Sequence, residues 1–560
     1  MQSTKKNSYW GRRLWIYPAV FMLIFYVYPL GMILQRSFGA TSLVKTWEAV
    51  EKTARFAFQS AAGQAALSTI LTLLVGFPAA FVFSRYRFTG RGLLRILVTL
   101  PFILPTVVAA AGFNALLGPQ GWLNLLLMRL LNSSQPPLVI LNTLGVVVLA
   151  HVFYNVSIII RVVSAALEQL DPRLEQSAAV LGANPIRRFT HVLLPLLTPA
   201  LLSAILLVFL FNFTSFGVIL LLGGGSVTTP EVEIYIQTTQ FLNLPAAAFI
   251  TVLQFMCTLT LTWLLSRIGP KWVVPMMPRT VNPSARIPKS WGEKIFFCFV
   301  VLALITISVL PLVALVLRAF FQWNPQQTGI LPQLRFSVGG FTNLFINSRQ
   351  SFFFVPPAQA IRNSLLFAAV SAIISVSLGL AATYSIVRYK KSHAWLEHVL
   401  MLPLGTSAVT LGLGYLTAFS GMLRGTQFSV LLIPLVHALI GLPFVMRAVR
   451  PALESIPASV LQAGSVLGAS ARDVWKRVEF PIIRRALGAG AVFAFTISLG
   501  EFGAAIFLTR PEWPTITTAI FRFLNQPGEI NYSQALAMAV ILLFICFLAV
   551  LLIDQLQEGR

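Results

Sequence analysis

Long apolar runs separated by short polar segments follow one another along the whole chain. Each run extends over about 18 to 25 residues, and an apolar helix of about 20 residues spans a hydrocarbon core of ~30 Å. A helix also pairs its own backbone polar groups, which lipid cannot do. The runs lack the alternation of polar and apolar residues that a transmembrane β-barrel strand needs. The pattern therefore predicts an all-α integral membrane protein.

Breaks between the runs predict about twelve transmembrane helices in two sets of six. The first set is expected at 14–34, 56–83, 94–117, 138–160, 199–222 and 246–265. The second set is expected at 295–318, 362–387, 399–419, 429–446, 486–508 and 534–553. Residues 267–294 are rich in Pro, Lys and Arg and lack an apolar period, which is typical of a linker. We expect a first transmembrane domain at 1–266, a cytoplasmic linker at 267–294 and a second transmembrane domain at 295–560.

The two halves of the chain also repeat in sequence. A polar and basic segment at 168–195 interrupts the apolar runs of the first half, and 454–481 does so in the second. The two segments are 286 residues apart in the sequence. Identical residues at this same separation pair His151 with His437, Arg161 with Arg447, Val180-Leu181-Gly182-Ala183 with Val466-Leu467-Gly468-Ala469, and Phe216-Gly217 with Phe502-Gly503. With small gaps, Arg85-Tyr86 also corresponds to Arg388-Tyr389, and Pro101 corresponds to Pro403. The repetition predicts a duplicated six-helix unit whose two copies have the same orientation, since an even number of spans returns the chain to its starting side.

Composition agrees with a membrane protein, because 57% of the residues are hydrophobic and only 10% are charged. The mean hydropathy is +0.80. A net charge of +24 suits nucleic acid only when basic residues share one soluble face, whereas here they are scattered over short loops. Lys and Arg accumulate on the cytoplasmic loops of membrane proteins. Placing the N-terminus inside puts most of them, and both repeated polar segments, on that side. We therefore expect both termini in the cytoplasm and no nucleic-acid partner.

Each repeated polar segment has the pattern of a short helix, a turn and a second short helix at the membrane surface. In the first copy the turn contains Gly182, and Val192 and Pro195 follow it. In the second copy Gly468, Val478 and Pro481 have the same spacing. A glycine in the turn relaxes the backbone restriction and permits close approach of another surface.

These segments resemble the cytoplasmic loop of the binding-protein-dependent ABC importer permeases. The consensus of that loop is Glu-Ala-Ala, three residues, Gly, nine residues, Ile, one residue and Leu-Pro. Where the family has Glu-Ala-Ala, this chain has Gln176, Ser177 and Ala178 in the first copy and Gln462, Ala463 and Gly464 in the second. The resemblance implies two ATPase-coupling loops formed by these six residues with Gly182, Val192, Pro195, Gly468, Val478 and Pro481. We call 168–195 the first coupling segment and 454–481 the second.

The whole chain resembles the fused, twelve-helix permeases of the thiamine and ferric iron importers, and the stretches 213–237 and 498–521 carry that likeness. The resemblance implies a subunit that moves a small solute, ferric iron or thiamine, into the cytoplasm by alternating access. The implied partners are two ABC ATPase subunits in the cytoplasm, an extracytoplasmic solute-binding protein and membrane lipid. ATP is then used by the partner ATPase, no cofactor is expected on this chain, and the location is the bacterial inner membrane.

Glu501 is an acid inside the predicted helix 486–508, where a charge costs a few kcal/mol unless it faces a cavity or a partner. The residue at the matching position of the first half is Ser215, and Asn212 and Ser498 lie nearby in the two halves. One interpretation places these four residues along the pathway of a cationic solute. The other gives them structural hydrogen bonds to neighbouring helices. His151 and His437 leave the same choice between gating and packing.

Two other functional classes are weaker alternatives. An ion-coupled twelve-helix secondary transporter needs several embedded charged groups, and this chain offers little beyond Glu501. A membrane scaffold without transport predicts no substrate-dependent phenotype. Residues 223–225 are three glycines without the Lys-Ser/Thr of a phosphate loop, and the three cysteines lack metal-ligand spacing. We therefore expect neither enzyme activity nor a metal site on this chain.

Overall fold

The computed structural model describes residues 13–39, 43–133, 135–268, 286–323, 334–346, 356–423 and 430–558. Residues 269–285, most of the predicted linker, lie outside these ranges. The chain ends at 1–12 and 559–560, whose location in the cytoplasm was predicted, lie outside them as well. Helices make up nearly all of the described residues, which confirms the all-α class.

The described helices are numbered in chain order, with the first half before the second. The first half contains α1 (Ile16–Gly39), α2 (Leu43–Arg85), α3 (Arg91–Ile103), α4 (Thr106–Leu117), α5 (Trp122–Leu131), α6 (Leu144–Gln169), α7 (Pro172–Val180), α8 (Pro185–Arg188), α9 (Leu194–Phe213), α10 (Gly217–Leu222), α11 (Pro230–Thr239) and α12 (Leu244–Ile268). The second half contains α13 (Trp291–Ser308), α14 (Leu310–Phe320), α15 (Gly339–Thr342), α16 (Pro357–Arg388), α17 (Lys390–Met401), α18 (Ala408–Ala418), α19 (Ser420–Leu423), α20 (Leu432–Glu454), α21 (Ala458–Val466), α22 (Ala471–Val474), α23 (Phe480–Gly500), α24 (Ala505–Leu508), α25 (Ile516–Leu524) and α26 (Glu529–Glu558).

Short irregular elements complete this order. In the part of the chain that the structure describes, π-helical turns lie at Leu23–Val27 inside α1, at Phe189–Leu193 before α9 and at Trp475–Glu479 before α23. Two strands, β1 (Phe321–Trp323) and β2 (Leu334–Phe336), form an antiparallel pair in which Phe321 faces Phe336. Among the described residues, 3₁₀ turns lie at Asn343–Phe345 and Leu402–Gly405.

The described helices include enough long apolar segments for the predicted number of membrane spans. Ten are long and apolar enough to cross a membrane, and two bent helix pairs raise the number to as many as twelve. These segments coincide with the twelve predicted runs. The prediction of an all-α protein with about twelve transmembrane helices is therefore confirmed.

The predicted helices 94–117 and 399–419 are each bent sharply rather than continuous. The bends are 110° in the first pair and 99° in the second. Pro105 begins the second arm of the first pair, and a residue that precedes proline disfavours the helical conformation, so Leu104 is extended. In the second pair Ser407 ends the break and accepts a bond from the N–H of Val409, which starts a new helix.

The predicted helices 199–222 and 486–508 are also interrupted. The first consists of α9, a break at residues 214–216, and α10, and the second consists of α23, a break after Gly500, and α24. Glu501 is extended in this break, with φ −68° and ψ 127°, so it does not lie in a helix interior as predicted. The N–H groups of Ala504 and Ala505 each donate to its carboxylate at 2.9 Å, which replaces the helical bonds that the break removes.

The described residues divide into two compact units, and each unit contains parts of both sequence halves. One unit comprises residues 1–49, 234–252 and 341–560. In it, α1 packs on α18, where a Cβ added at Gly414 would lie 3.1 Å from Cβ of Pro29. The hydroxyl groups of Tyr26 and Thr406 are also hydrogen bonded, at 2.7 Å. The first described helix therefore packs among the helices of the second half.

The other unit comprises residues 50–233 and 253–340. In it, α14 packs on α4, where a Cβ added at Gly112 would lie 2.9 Å from the carbonyl oxygen of Pro311. Trp122 donates its indole N–H to the carbonyl of Ala314 at 3.1 Å. The opening helices of the second half thus pack among the helices of the first half.

The histidine-bearing helices α6 and α20 are the most deeply buried spans of the described chain, one in each unit. Phe153 on α6 is fully buried, and its ring meets that of Phe113 edge to face with 5.6 Å between centroids. On α20, Val445, Val449 and Leu453 belong to the apolar core that also includes Ile483. These two helices lead directly into the coupling segments.

Candidate functional site

The first coupling segment folds as a helix, a glycine turn and a short second helix. Asp171 caps α7 by accepting a bond from the N–H of Arg173 at 2.9 Å. Gly182 follows with φ +82°, a conformation that suits glycine, and Ala183 donates its N–H to the carbonyl of Ala178 at 3.0 Å. Asn184 then caps α8. Local sequence signals thus account for the whole turn.

The second coupling segment has the same construction with different capping residues. Gly468 has φ +79°, and Ala469 donates its N–H to the carbonyl of Gly464 at 3.0 Å. Ser470 caps α22 by accepting a bond from the N–H of Asp473 at 3.2 Å. A Cβ added at Gly464 would lie 3.1 Å from a side-chain carbon of Val474, so the two short helices pack closely.

The π-helical turns follow at equivalent positions of the two coupling segments. Val192 lies in the turn before α9 and Val478 in the turn before α23, and both side chains are half-buried. Pro195 and Pro481 lie in the first turn of the α-helix that continues from each π-helical turn. The four residues thus mark where each coupling segment joins its membrane helix.

The tips of both coupling segments expose large apolar side chains. Val180 and Leu181 are 88% and 86% exposed, and their counterparts Val466 and Leu467 are both 86% exposed. Neither α7 nor α8, which are wholly described, has a buried residue. Exposed apolar side chains that protrude in pairs mark sites of contact with a partner. The sequence identified these four residues only as identical positions of the repeat and did not indicate that they are exposed.

The residues at the Glu-Ala-Ala positions are arranged alike in both segments. Gln176 and Ser177 are exposed, as are Gln462 and Ala463, so these four are open to a partner. Ala178 and Gly464 are half-buried. The structure therefore brings all twelve residues predicted for the coupling loops into two small surface motifs, one in each unit.

The predicted pathway residue Ser215 belongs to a buried network around His151. Nδ1 of His151 lies 3.1 Å from the hydroxyl of Ser68, and Nε2 lies 2.9 Å from the hydroxyl of Ser215. Thr229 donates its hydroxyl to the carbonyl of Ser215 at 3.0 Å. The network joins α2, α6 and the break after α9.

Asn212, another predicted pathway residue, is hydrogen bonded to three neighbouring side chains. Asn155 donates its side-chain amide to Oδ1 of Asn212 at 2.7 Å. Asn212 donates to the hydroxyl of Thr69 at 3.2 Å, and Gln64 donates to the carbonyl of Asn212 at 2.7 Å. Asn212 is fully buried, so these bonds satisfy an amide that lipid could not.

The equivalent network of the other unit contains Ser498 and Glu501. Nδ1 of His437 lies 2.8 Å from the hydroxyl of Ser498, and Nε2 lies 3.2 Å from Oε2 of Glu501. Thr517 donates its hydroxyl to the carbonyl of Glu501 at 2.9 Å, as Thr229 does to Ser215. With the two backbone N–H groups described above, the Glu501 carboxylate has close polar contacts on both oxygens. The four predicted pathway residues therefore all make hydrogen bonds between neighbouring structural elements.

A metal site does not emerge from the residues that the structure describes, which contain no group of three or more His, Cys, Asp or Glu able to hold an ion.

Comparison with known proteins places this architecture in a family. Residues 72–274 match the family described as the binding-protein-dependent transport system inner membrane component. The thiamine transport system permease protein ThiP of Escherichia coli (strain K12) is 26% identical over 513 residues, which cover 89% of this chain and 88% of that protein. ThiP of Brucella abortus (strain 2308) is 27% identical over 500 residues, which cover 89% and 87%.

A further relative aligns over a shorter stretch, with a higher sequence identity. The probable sulfate transport system permease protein cysT of Nephroselmis olivacea is 31% identical over 211 residues, which cover 38% of this chain and 72% of that protein. The duplicated coupling segments, the helical membrane fold and these matches agree. This chain belongs to the binding-protein-dependent transport system inner membrane components, as an ABC importer permease of the fused two-domain type.

Proposed function

We propose that this chain is the membrane-spanning subunit of an ATP-driven importer of thiamine. The relatives named as thiamine permeases align over both halves of the chain, 89% of its length. The relative named for sulfate covers 38%. Agreement along the whole chain favours thiamine over sulfate, and it is the basis for choosing thiamine from the two solutes that the sequence resemblance left open.

The ATP-driven part of the proposal rests on the two matched coupling segments. Each presents an exposed Val-Leu pair beside a glycine turn, and burying such a pair in a partner's cleft gives each contact a hydrophobic centre. Two equivalent tips call for two equivalent ATPase subunits. Closure of the ATPase pair on ATP then moves the coupling segments and switches the permease between outward-open and inward-open states.

The remaining partners and the location follow from the same proposal. An extracytoplasmic solute-binding protein delivers the solute, and the chain lies in the inner membrane with both termini in the cytoplasm. The basic residues Arg173, Arg187 and Arg188 lie on the first coupling segment, in agreement with a cytoplasmic surface. ATP is bound and hydrolysed by the partner ATPase, and this chain contributes no cofactor.

Selection of the solute is proposed to reside mainly in the binding protein. Asn212, Ser215, Ser498 and Glu501 use their polar atoms in internal bonds, which supports a role in holding the helix breaks. We therefore assign them to the frame of the transport path, where they fix its shape.

Reconstitution tests the proposal. The chain, its ATPase and its binding protein are placed in proteoliposomes, and uptake of labelled thiamine is measured with and without ATP. Uptake should require both ATP and the binding protein. Uptake that follows an ion gradient without ATP would identify a secondary transporter. ATP-dependent uptake of ferric iron or sulfate, but not of thiamine, would show that the assignment of thiamine as the solute is wrong.

A matched pair of variants links that uptake to the coupling segments. Leu181→Asp combined with Leu467→Asp should abolish ATP-dependent uptake and release the ATPase, because a charge replaces the apolar centre of each contact. Leu181→Met combined with Leu467→Met keeps an apolar side chain of similar volume and should retain both. Equal uptake by the Asp and Met variants would show that the tips are not the docking surface.

A further inference from the structure

The same arginine occurs at the cytoplasmic end of the same long helix in both halves. Arg85 ends α2 and Arg388 ends α16, and the two correspond in the sequence repeat. Each guanidinium lies over an aromatic ring one turn earlier on its own helix. The distance to the ring centroid is 5.6 Å for Phe81 and 5.9 Å for Tyr384. These contacts orient each guanidinium in a similar way.

Each arginine forms an ion pair with a carboxylate of the coupling segment in its own unit. Arg85 pairs with Glu175 on α7, and Arg388 pairs with Glu479 in the π-helical turn before α23. Glu479 is 3% exposed, and Tyr384 lies within 3.5 Å of its other oxygen. A charge so buried depends on its partner, because removing one member leaves the other uncompensated.

The two acids are not counterparts in the repeat. Glu175 precedes the glycine turn of its segment, and the residue at its position in the other half is Leu461. Glu479 follows the glycine turn, and its counterpart is Leu193. The arginine and the ion pair thus occur in both halves, although the acid comes from opposite sides of the turn.

The local packing brings residues from both flanks of each glycine turn close to the surroundings of the arginine. In the first unit Arg85, Glu175 and Leu193 line one cavity. In the second, Leu461, Tyr384 and Trp475 all pack against one buried apolar cluster. The rings of Tyr384 and Trp475 meet edge to face, with 5.5 Å between centroids. Arg85 therefore faces both flanks of its glycine turn, and Leu461 packs on the same core as Tyr384, the ring that lies under Arg388.

We propose that Arg85 and Arg388 are positioning residues that transmit movement of the coupling segments to the long helices α2 and α16. The ion pair is required in both halves, and the side of the turn that supplies the acid is interchangeable. This inference rests on the proposed ATP-driven function. An ordinary stabilising ion pair would not account for the same arginine being paired twice through unrelated acids.

Moving the acid within each segment tests the inference directly. Glu175→Leu removes the first ion pair, and Glu175→Leu with Leu193→Glu restores it in the arrangement of the second segment. Glu479→Leu and Glu479→Leu with Leu461→Glu make the reciprocal set. Glu51→Leu is the matched control, because it breaks the 2.6 Å ion pair with Arg55, which is on α2 but outside the coupling segment.

Coupling is measured as thiamine molecules transported per ATP hydrolysed, with ATPase co-purification and the thermal unfolding midpoint recorded for each variant. We expect each single variant to lower the ratio by about threefold or more while the ATPase remains bound. Each transposed double variant should recover most of the loss, and Glu51→Leu should match the unmodified protein. A ratio that is unchanged in the single variants, or unrecovered in folded double variants that bind the ATPase, overturns the inference.

Hydrogen exchange of the permease alone separates this inference from the proposed function. Without ATP or solute, Glu175→Leu should speed amide exchange in α7, and the transposed variant should slow it again. Equal exchange in all three proteins rejects the ion pair as a positioning contact, whatever the solute. If the unmodified complex does not transport thiamine with ATP while exchange changes as expected, the proposed function fails and the ion pair stands as a positioning contact.

Discussion

Gly182 and Gly468 each hold a turn that no ordinary side chain favours. Both have positive φ, yet a Cβ added at either would meet nothing within 4 Å. The requirement for glycine therefore comes from the backbone and not from crowding within the described residues. Each glycine turn also leaves the preceding leucine, Leu181 or Leu467, exposed to solvent.

Replacing both glycines by valine should therefore loosen the docking surface. The left-handed conformation costs an L-residue roughly 1–2 kcal/mol, and about 1.4 kcal/mol is a factor of ten in an equilibrium. We expect ATPase co-purification to fall by about tenfold for each segment altered. Asparagine at both positions tolerates this conformation and should retain most of the binding. Valine variants that bind the ATPase normally would contradict the role of the turns.

Glu501 should matter to folding more than to solute recognition. Glu501→Ala leaves the N–H groups of Ala504 and Ala505 buried without their present acceptor, at about 1–3 kcal/mol each. Ser215→Ala, at the matching position, removes one contact with His151 and should cost about 1 kcal/mol. The measurement is the thermal unfolding midpoint in detergent. A normal midpoint with a raised KM for thiamine would instead place Glu501 on the solute path.

Helix breaks are the elements that sequence reasoning resolved least well. Apolar runs predicted the ten long apolar helices and the two bent pairs of the described chain, because lipid demands helices of that length. The breaks at Leu104 and Glu501 remained hidden, since apolar residues continue through them and hydropathy does not register conformation. Pro105 was a local signal for the first break. The cap that Glu501 provides to Ala504 and Ala505 is local, whereas its contact with His437 is tertiary and no short sequence window contains it.

The coupling segments show the opposite case. Their helices, turns and caps follow from neighbouring residues such as Asp171, Gly182 and Ser470, so the sequence was sufficient to predict them. The ion pairs with Arg85 and Arg388 were not predicted, because their acids occupy different positions in the two copies. Comparing identical residues at equivalent positions of the two halves cannot reveal an ion pair whose acid occupies a different position in each half.

Close helix packing gives a further prediction at this scale. A Cβ at Gly112 would lie 2.9 Å from a backbone oxygen of α14, so Gly112→Ala must push α4 and α14 apart. We expect a destabilisation of about 1–3 kcal/mol in thermal or denaturant unfolding. Gly63→Ala on α2 has open space around it and should gain up to about 1 kcal/mol. Equal effects at both positions would contradict the tight packing of α4 on α14.

For the whole molecule, the important feature is the exchange of opening helices between the sequence halves. Each packing unit is incomplete without a helix encoded in the other half. The sequence repeat predicted a duplicated six-helix unit, with domains at 1–266 and 295–560. It contained no information on which half each opening helix joins, because all apolar helices satisfy hydropathy equally.

Separating the halves tests this exchange. Residues 295–560 expressed alone lack α1, which leaves the face of α18 around Gly414 uncovered. We expect low yield and a lowered unfolding midpoint, both recovered when residues 1–266 are expressed in the same cell. Fluorescence-detected size-exclusion chromatography and thermal unfolding provide the measurements. Residues 295–560 that are as stable alone as with their partner would show that α1 is dispensable for that unit.

The exchange also sets the order in which the protein is built during translation. Tyr26 and its partner Thr406 are 380 residues apart, so at roughly 5–20 residues per second α1 waits roughly 20 to 80 s for its neighbours. Trp122 and Ala314, which close the other unit, are only 192 residues apart. The unit containing the first coupling segment therefore receives its last helices while most of the second is still unmade. During that interval α1 must be held in the membrane by lipid or an insertase. The face of α1 around Pro29, which later packs on Gly414, is still uncovered.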